Sequence, residues 1–142
     1  MKTMNINGIE IRMGTDLSGA DFSHKNLIGV DLSKSDLSNI DLSYTKLNHS
    51  DLSYADLTGA NLSHADLTDV DLSHTDLTGA DLSYANLTGA ELYRANIDKA
   101  NLRYADLTNA NFKGADLTGA DLTGVILNET NLLAKQYLST IH

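Results

Sequence analysis

The sequence predicts an all-β solenoid, a chain wound into stacked coils, and three observations predict it. Leucine returns every fifth residue without a slip from Leu17 to Leu132, twenty-four times in 142 residues, with only Phe22, Ile97 and Phe112 as substitutes. The residue two before each of these centres is small and usually Ala (Ala20, Ala55, Ala60, Ala65, onward to Ala120), and the residue just before it is usually Asp or Asn. Finally, no ordinary element satisfies a period of five. On an α-helix successive centres would be about 140° apart and no apolar stripe would form. On a flat strand an odd step puts alternate leucines on opposite faces, so half would meet water. A chain that bends once per five residues keeps the small residue and the centre inward on every short side, and its coils stack at the ~4.8 Å strand spacing.

The number of sides follows from what stacks on what. The second position after the centre reads His24, Tyr44, His64, Tyr84, Tyr104 at a separation of twenty, and Gly19, Asn39, Gly59, Gly79, Lys99, Gly119 on another track. At fifteen it reads His24, Asn39, Tyr54, Asp69, Tyr84, Lys99, Gly114, which is no ladder and disfavours a three-sided coil. Residues 51–90 also repeat at ten, so spacing alone leaves twenty and thirty open.

The motif Ala, Asp or Asn, Leu, Ser or Thr, then a variable residue, as in Ala55-Asp56-Leu57-Thr58-Gly59 and Ala80-Asp81-Leu82-Ser83-Tyr84, resembles the pentapeptide repeat family over residues 15–134. The resemblance implies a right-handed, quadrilateral parallel β-helix with twenty residues per coil. Twenty-four repeats would then make six coils and a rod roughly 29 Å long.

Taken in order, residues 1–14 form an N-terminal cap. Ile9, Ile11 and Met13 alternate with polar residues and predict one short strand across the first coil, shielding its open edge. Residues 15–134 are the β-helix. Its first two coils carry the irregular inward residues: Lys25, placed to snorkel outward, Thr45, and the larger Val30 and Ile40. The later coils are nearly all Ala and Leu inside, and a charge at a mid-rod centre such as Leu77 should break them. After Leu132 the beat fails. Leu133, Tyr137, Leu138 and Ile141 fall at helical spacings, predicting a cap helix over 135–142. The family resemblance adds the alternative of a homodimer formed through this end.

Cysteine is absent, which excludes a disulfide framework and thiolate zinc sites. Proline is absent too, as suits coils that donate every N–H to a neighbour. The opening MKTMNINGIEIRMG lacks the apolar run of a signal peptide, and no stretch approaches the ~20 apolar residues of a membrane span. The expected location is the cytoplasm, with no membrane partner.

Charge is the feature most suited to carry function. The net charge is −9, and 15 of the 19 acidic residues occupy the position just before a centre, which this geometry turns outward. Between Leu47 and Tyr93 there is no Lys or Arg but eight acids: Asp51, Asp56, Asp66, Asp69, Asp71, Asp76, Asp81 and Glu91. Arg94, Lys99, Arg103 and Lys113 follow as a basic belt. The acidic middle spans ~11 Å, about one charge per 1.4 Å, close to the ~1.7 Å of duplex DNA. That disfavours direct nucleic-acid binding and favours a basic protein partner, above all one that grips DNA. The resemblance includes DNA mimics that bind bacterial type II topoisomerases such as gyrase and confer quinolone resistance. This chain is shorter than those and has no obvious loop between coils. The competing reading is that Asp and Asn bond and turn the backbone at each corner, with charge a by-product.

The ladder His24, Tyr44, His64, Tyr84, Tyr104 and the opposite track Lys34, Tyr54, His74, Arg94 offer two aromatic faces for a protein contact or, equally, rings that fill a surface. His24 and His64 would lie ~10 Å apart, too far for one metal ion, and no cofactor is implied. Thr68, Thr88 and Thr108, with Thr58 and Thr78, suggest an ice-binding array, though Asp66 and Asp106 interrupt it. The hydroxyls have no His held near them and the core leaves no pocket, so an enzyme is not expected.

Overall fold

A computed structural model describes residues 4–132; the expected cap helix, with Leu133, Tyr137, Leu138 and Ile141, lies outside the described residues. Parallel bridges run from Asp16↔Asp36 to Asn111↔Asn131, each joining residues twenty apart. The centres therefore stack in four tracks: a first through Leu17, Leu37 and Leu57, a second through Phe22 and Leu42, a third through Leu27 and Leu47, and a fourth through Leu32 and Leu52.

Two hydrogen bonds tie each side to the next coil. Leu77 N–H donates to the Asn96 carbonyl at 2.7 Å, and Asn96 N–H returns to the Thr75 carbonyl at 2.9 Å. A third bond to the next coil leaves the corner, where Gly79 N–H donates to the Asp98 carbonyl at 2.9 Å, and a fourth closes the corner within the coil, from Ala80 N–H to the Leu77 carbonyl at 3.0 Å. The second residue after every centre, from Gly19 to Glu129, has φ between 53° and 73°. Positive φ at this position alone is the pattern of a type II turn. The period of five is thus one short inward side plus one tight turn.

Centres from Leu17 to Leu122 are buried, and Leu127 and Leu132 are partly so. Val30, Ile40 and Val70 fit at the small inward position and are buried. Lys25 is half-buried. Thr45, Ser50 and Thr75 are buried with their hydroxyls satisfied, donating back to the carbonyls of Leu42, Leu47 and Leu72 at 2.6, 2.5 and 2.7 Å. A hydroxyl that bonds its own turn can replace Ala here without leaving a buried donor orphaned.

The N-terminal end differs from the single strand expected. β1 (Met4–Ile6) and β2 (Ile9–Ile11) form an antiparallel hairpin. Asn7-Gly8 supplies two consecutive positive-φ residues, the chemistry of a tight hairpin turn. Of the three residues assigned to the strand, Ile11 is fully buried, whereas Ile9 and Met13 are exposed and Met13 lies beyond β2. Thr15 and Ser35 hydroxyls both donate to the Arg12 carbonyl, at 2.6 and 3.4 Å, and so fasten the hairpin to the first two coils.

Candidate functional site: the outer tracks and corners

The position before each centre is built by one repeated device. In twenty repeats the Oδ1 atom of an Asp or Asn accepts the backbone N–H of the residue two ahead. Where that residue is Ser or Thr, its hydroxyl usually donates to the same oxygen, as from Ser53 to Asp51 at 2.7 Å and from Thr78 to Asp76 at 2.6 Å. The bond orients the backbone as it enters the turn. The corner-turning reading therefore holds at the level of geometry. Glu91, one methylene longer, instead accepts a bond from the Asn111 amide in the next coil.

These bonds set the carboxylate chemistry. The Ser18 amide, then its hydroxyl, holds Asp16 below the ordinary range, and the Ser23 hydroxyl, then its amide, does the same for Asp21. Burial opposes ionisation of Asp66, but the Thr68 hydroxyl and amide, the Asn48 amide and Lys46 outweigh it and the net shift is downward. Asp121 falls to about 2, through the Thr123 hydroxyl first, then the Thr123 amide, with Arg103 adding to them.

The eight acids of the middle are not brought to one face. Asp56 and Asp76 lie on the first track, Asp81 on the second, Asp66 on the third, and Asp51, Asp71 and Glu91 on the fourth, while Asp69 sits on the corner between third and fourth. Neighbours in sequence are spread around the rod because twenty residues make a full circuit. What the coil does assemble are rows: Asp16, Asp36, Asp56, Asp76 on the first track and Asp31, Asp51, Asp71, Glu91 on the adjacent fourth. In Asp51, Asp56, Asp71 and Asp76 the Oδ1 atom is engaged in the turn and Oδ2 has no hydrogen-bond donor among the described residues.

The corner between second and third tracks carries the aromatic ladder as expected from spacing. His24, Tyr44, His64 and Tyr84 stack with centroids 4.9, 4.6 and 4.9 Å apart, and Tyr104 continues at 5.2 Å. His24 and His64 thus sandwich Tyr44 rather than approach one another. The corner between the fourth and first tracks departs from expectation. Tyr54 stacks on His74 at 4.6 Å, but His74 then meets Tyr93 edge-on, and Arg94 lies over the Tyr93 ring. This Tyr54–His74 ridge stands between the two acid rows. In the basic belt Arg103 is committed to Asp121 at 3.1 Å.

Among the Thr residues of the expected flat array, the hydroxyls of Thr68, Thr78, Thr88 and Thr108 all donate to their own Asp or Asn and are not presented as a free lattice. No group of three or more His, Cys, Asp or Glu suited to a metal ion occurs among the described residues. No helix among them is long and apolar enough to cross a membrane.

Stacked five-residue turns with inward leucines define a β-helical solenoid of the repeat class. The chain belongs to the pentapeptide repeat family: that family's repeat matches it over residues 13–48, 35–74, 71–103 and 95–132, and the family and its solved members imply a right-handed β-helix. A pentapeptide repeat protein, Rfr23, from the cyanobacterium Cyanothece 51142 is 32% identical, with 86% of this chain and 88% of that one covered and a TM-score of 0.61. A pentapeptide repeat protein from Nostoc PCC 7120 is 41% identical over 53% of this chain and 62% of that one, with a TM-score of 0.52. QnrB1, a plasmid-mediated fluoroquinolone resistance protein, is 21% identical over 87% and 83% of the two chains with a TM-score of 0.40, a likeness that says nothing of this chain's partner. No curated protein matches the chain.

Proposed function

We propose that the chain is a non-catalytic binding rod whose partner is a protein presenting a cationic segment, docked along the Tyr54–His74 ridge and the acid rows beside it. The observation that carries this is the division of labour within each carboxylate. Turning the chain needs only Oδ1, and Asn supplies it equally at Asn26, Asn61, Asn86, Asn96, Asn101 and Asn111. Fourteen turns nevertheless use Asp. Stacked carboxylates ~4.8 Å apart repel by just under ~1 kcal/mol even in water, so the outward charge has an energetic cost that Asn would avoid. A cationic partner offsets it, and a ridge of rings between two anionic rows gives Lys or Arg both charge and a flat surface for the side-chain stem.

The Asn turns also supply the test. Asp51, Asp56, Asp71 and Asp76 changed together to Asn keep every turn bond and remove four charges. Titration of a fluorescent Lys/Arg-rich peptide by anisotropy should show binding to the native rod, steeply weakened by salt, and at least tenfold weaker binding to the Asn variant. Equal binding by the two, or none by the native rod, would refute the reading.

A narrower form makes the cationic partner a type II topoisomerase that takes the rod in place of DNA. Its support is the charge density of residues 51–91, about one acid per 1.4 Å of rod against one charge per ~1.7 Å of duplex DNA. Purified gyrase in a supercoiling assay tests it, and unchanged activity at micromolar rod would retire it.

A further inference from the structure

We propose that the corner side chains are the register key of the solenoid: they select which repeat stacks on which, a choice the core leaves nearly degenerate.

The degeneracy follows from the sequence. A shift of one coil by five residues returns a Leu to every centre and a small residue to almost every inward site. The carboxylate turns and the corner bonds lie within a repeat, so they survive the shift. The repeated bonds between coils are backbone to backbone and accept any side chain, and bonds between side chains of different coils, Asn48 to Asp66, Arg103 to Asp121 and Asn111 to Glu91, are few among the described residues. Even the bulky Phe112, stacked on Leu92, would meet Leu87 or Ile97 instead. A hydrophobic pattern that fits several registers leaves slippage open unless something else discriminates.

The corners do discriminate. In the observed register the ladder makes four consecutive ring stacks, from His24–Tyr44 to Tyr84–Tyr104. At a separation of fifteen the same five residues would face Asn39, Gly59, Gly79, Lys99 and Gly119 ahead, and the one ring pair left would be His64 with His49 behind it. At twenty-five they would face His49, Asp69, Gly89, Asn109 and Glu129, leaving one pair. A second set of contacts agrees independently. Asn39, Asp69, Arg94, Lys99 and Tyr104 each lean over the corner residue twenty ahead, and in all five cases that residue is glycine: Gly59, Gly89, Gly114, Gly119 and Gly124. A Cβ at Gly114 would come within 3.1 Å of Arg94 Cγ, and one at Gly119 within 3.3 Å of Lys99 Cγ. Shifted to fifteen or twenty-five, only two of the five large residues would find a glycine. Rings and notches fit together at twenty.

The key is retained against local preference. The corner residues sit at φ near 60°, where a side chain other than Gly or Asn costs roughly 1–2 kcal/mol. Ring stacking gives back about 0.5–1.5 kcal/mol per pair, but only in the register that pairs them. Local energy thus favours Gly or Asn at these corners, and the contacts between coils favour rings.

The chain has no cysteine, so engineered pairs report register directly. Thr58→Cys with Thr78→Cys places thiols on one track one coil apart, with Cα atoms ~4.8 Å apart, inside the range a disulfide spans. Thr58→Cys with Ser73→Cys can bridge only if a coil has slipped by five. Each pair is placed in the native chain and in a corner-neutral chain, with His24, Tyr44, His64, Tyr84 and Tyr104 changed to Asn and Asn39 and Asp69 to Gly. All are refolded from denaturant under oxidising conditions and mapped by digestion and mass spectrometry. The native chain should give the 58–78 bridge and no 58–73 bridge. The corner-neutral chain should form the 58–73 bridge in more than a tenth of molecules. A milder chain carrying only Tyr44→Asn, Tyr84→Asn and Asn39→Gly decides the matter if the full set does not fold. Refolding of the folded variants into the 58–78 bridge alone would overturn the proposal.

Discussion

Asp76 and Thr78 are joined twice through one oxygen: Asp76 Oδ1 accepts the Thr78 amide at 3.0 Å and the Thr78 hydroxyl at 2.6 Å. The same pair of bonds recurs along all four tracks, so it is a unit of the fold rather than a local detail. Asp76→Asn should leave thermal stability nearly unchanged, because Asn61 makes both bonds to Ser63 in the same way. Asp76→Ala removes the acceptor and should cost about 1 kcal/mol, the usual loss for a backbone N–H deprived of its side-chain cap. Paired urea titrations of the two variants measure the difference. Equal loss in both would mean that charge, not the acceptor, is what the turn needs.

Leu77 sits at mid-rod with no exposed surface. Leu77→Ala should destabilise by about 2–5 kcal/mol, the range for truncating a fully buried Leu that its surroundings cannot refill. Leu77→Asp buries a carboxylate with no partner and should abolish the cooperative transition, leaving β circular dichroism only from flanking coils if they hold on their own. A folded Leu77→Asp protein would show the shaft to be wetter than its closed packing implies.

How much of this was legible in the sequence depends on which physical signal carries it. The bend at every fifth residue followed from Leu spacing, and the His24–Tyr44–His64–Tyr84–Tyr104 ladder from like residues recurring at twenty, because both are periodic and core or stacking energy enforces period. Asn7-Gly8 announces the hairpin, but Ile9, Ile11 and Met13 alternate well enough to mimic one strand. Positive φ at the corners has a signal too, since the glycines within the repeats recur only at the second position after a centre, but His, Tyr, Lys and Arg at the same position hide it. The eight acids between Leu47 and Tyr93 look like one patch when the chain is read linearly and are not, because position around the rod is residue number modulo twenty.

Gly124 is where the ladder ends. Its φ is +73°, and a Cβ there would run into the Tyr104 ring. Gly124→Ala therefore meets two penalties, left-handed backbone strain and displacement of Tyr104, and should destabilise by roughly 1–3 kcal/mol. Gly79→Ala has the strain alone, with open space around its Cβ position, and should cost less. Gly59 stands twenty residues before Gly79, so in a Tyr104→Gly background the added cost of Gly124→Ala should fall to that of Gly79→Ala in the native chain, which a thermal-melt comparison of these variants reads directly.

Asp121 offers the clearest pH prediction. Its folded pKa is depressed to about 2, so its contribution to stability is fully present above the unfolded carboxyl value near 4 and is lost as pH falls from there through about 2. The Thr123 hydroxyl is the largest cause and Arg103 a lesser one, even though Arg103 makes the visible ion pair at 3.1 Å. Both side chains of that pair are nearly half exposed, at 46% and 42%, so water and salt screen it. Thr123→Val should therefore raise the Asp121 titration midpoint more than Arg103→Ala does, and 0.5 M salt should erase most of the Arg103 effect while leaving that of Thr123. Carboxyl carbon shifts followed by NMR between pH 1.5 and 6 measure all of these midpoints. A larger shift from Arg103→Ala would mean that the ion pair across coils, rather than the turn within one, governs the carboxylates along this rod.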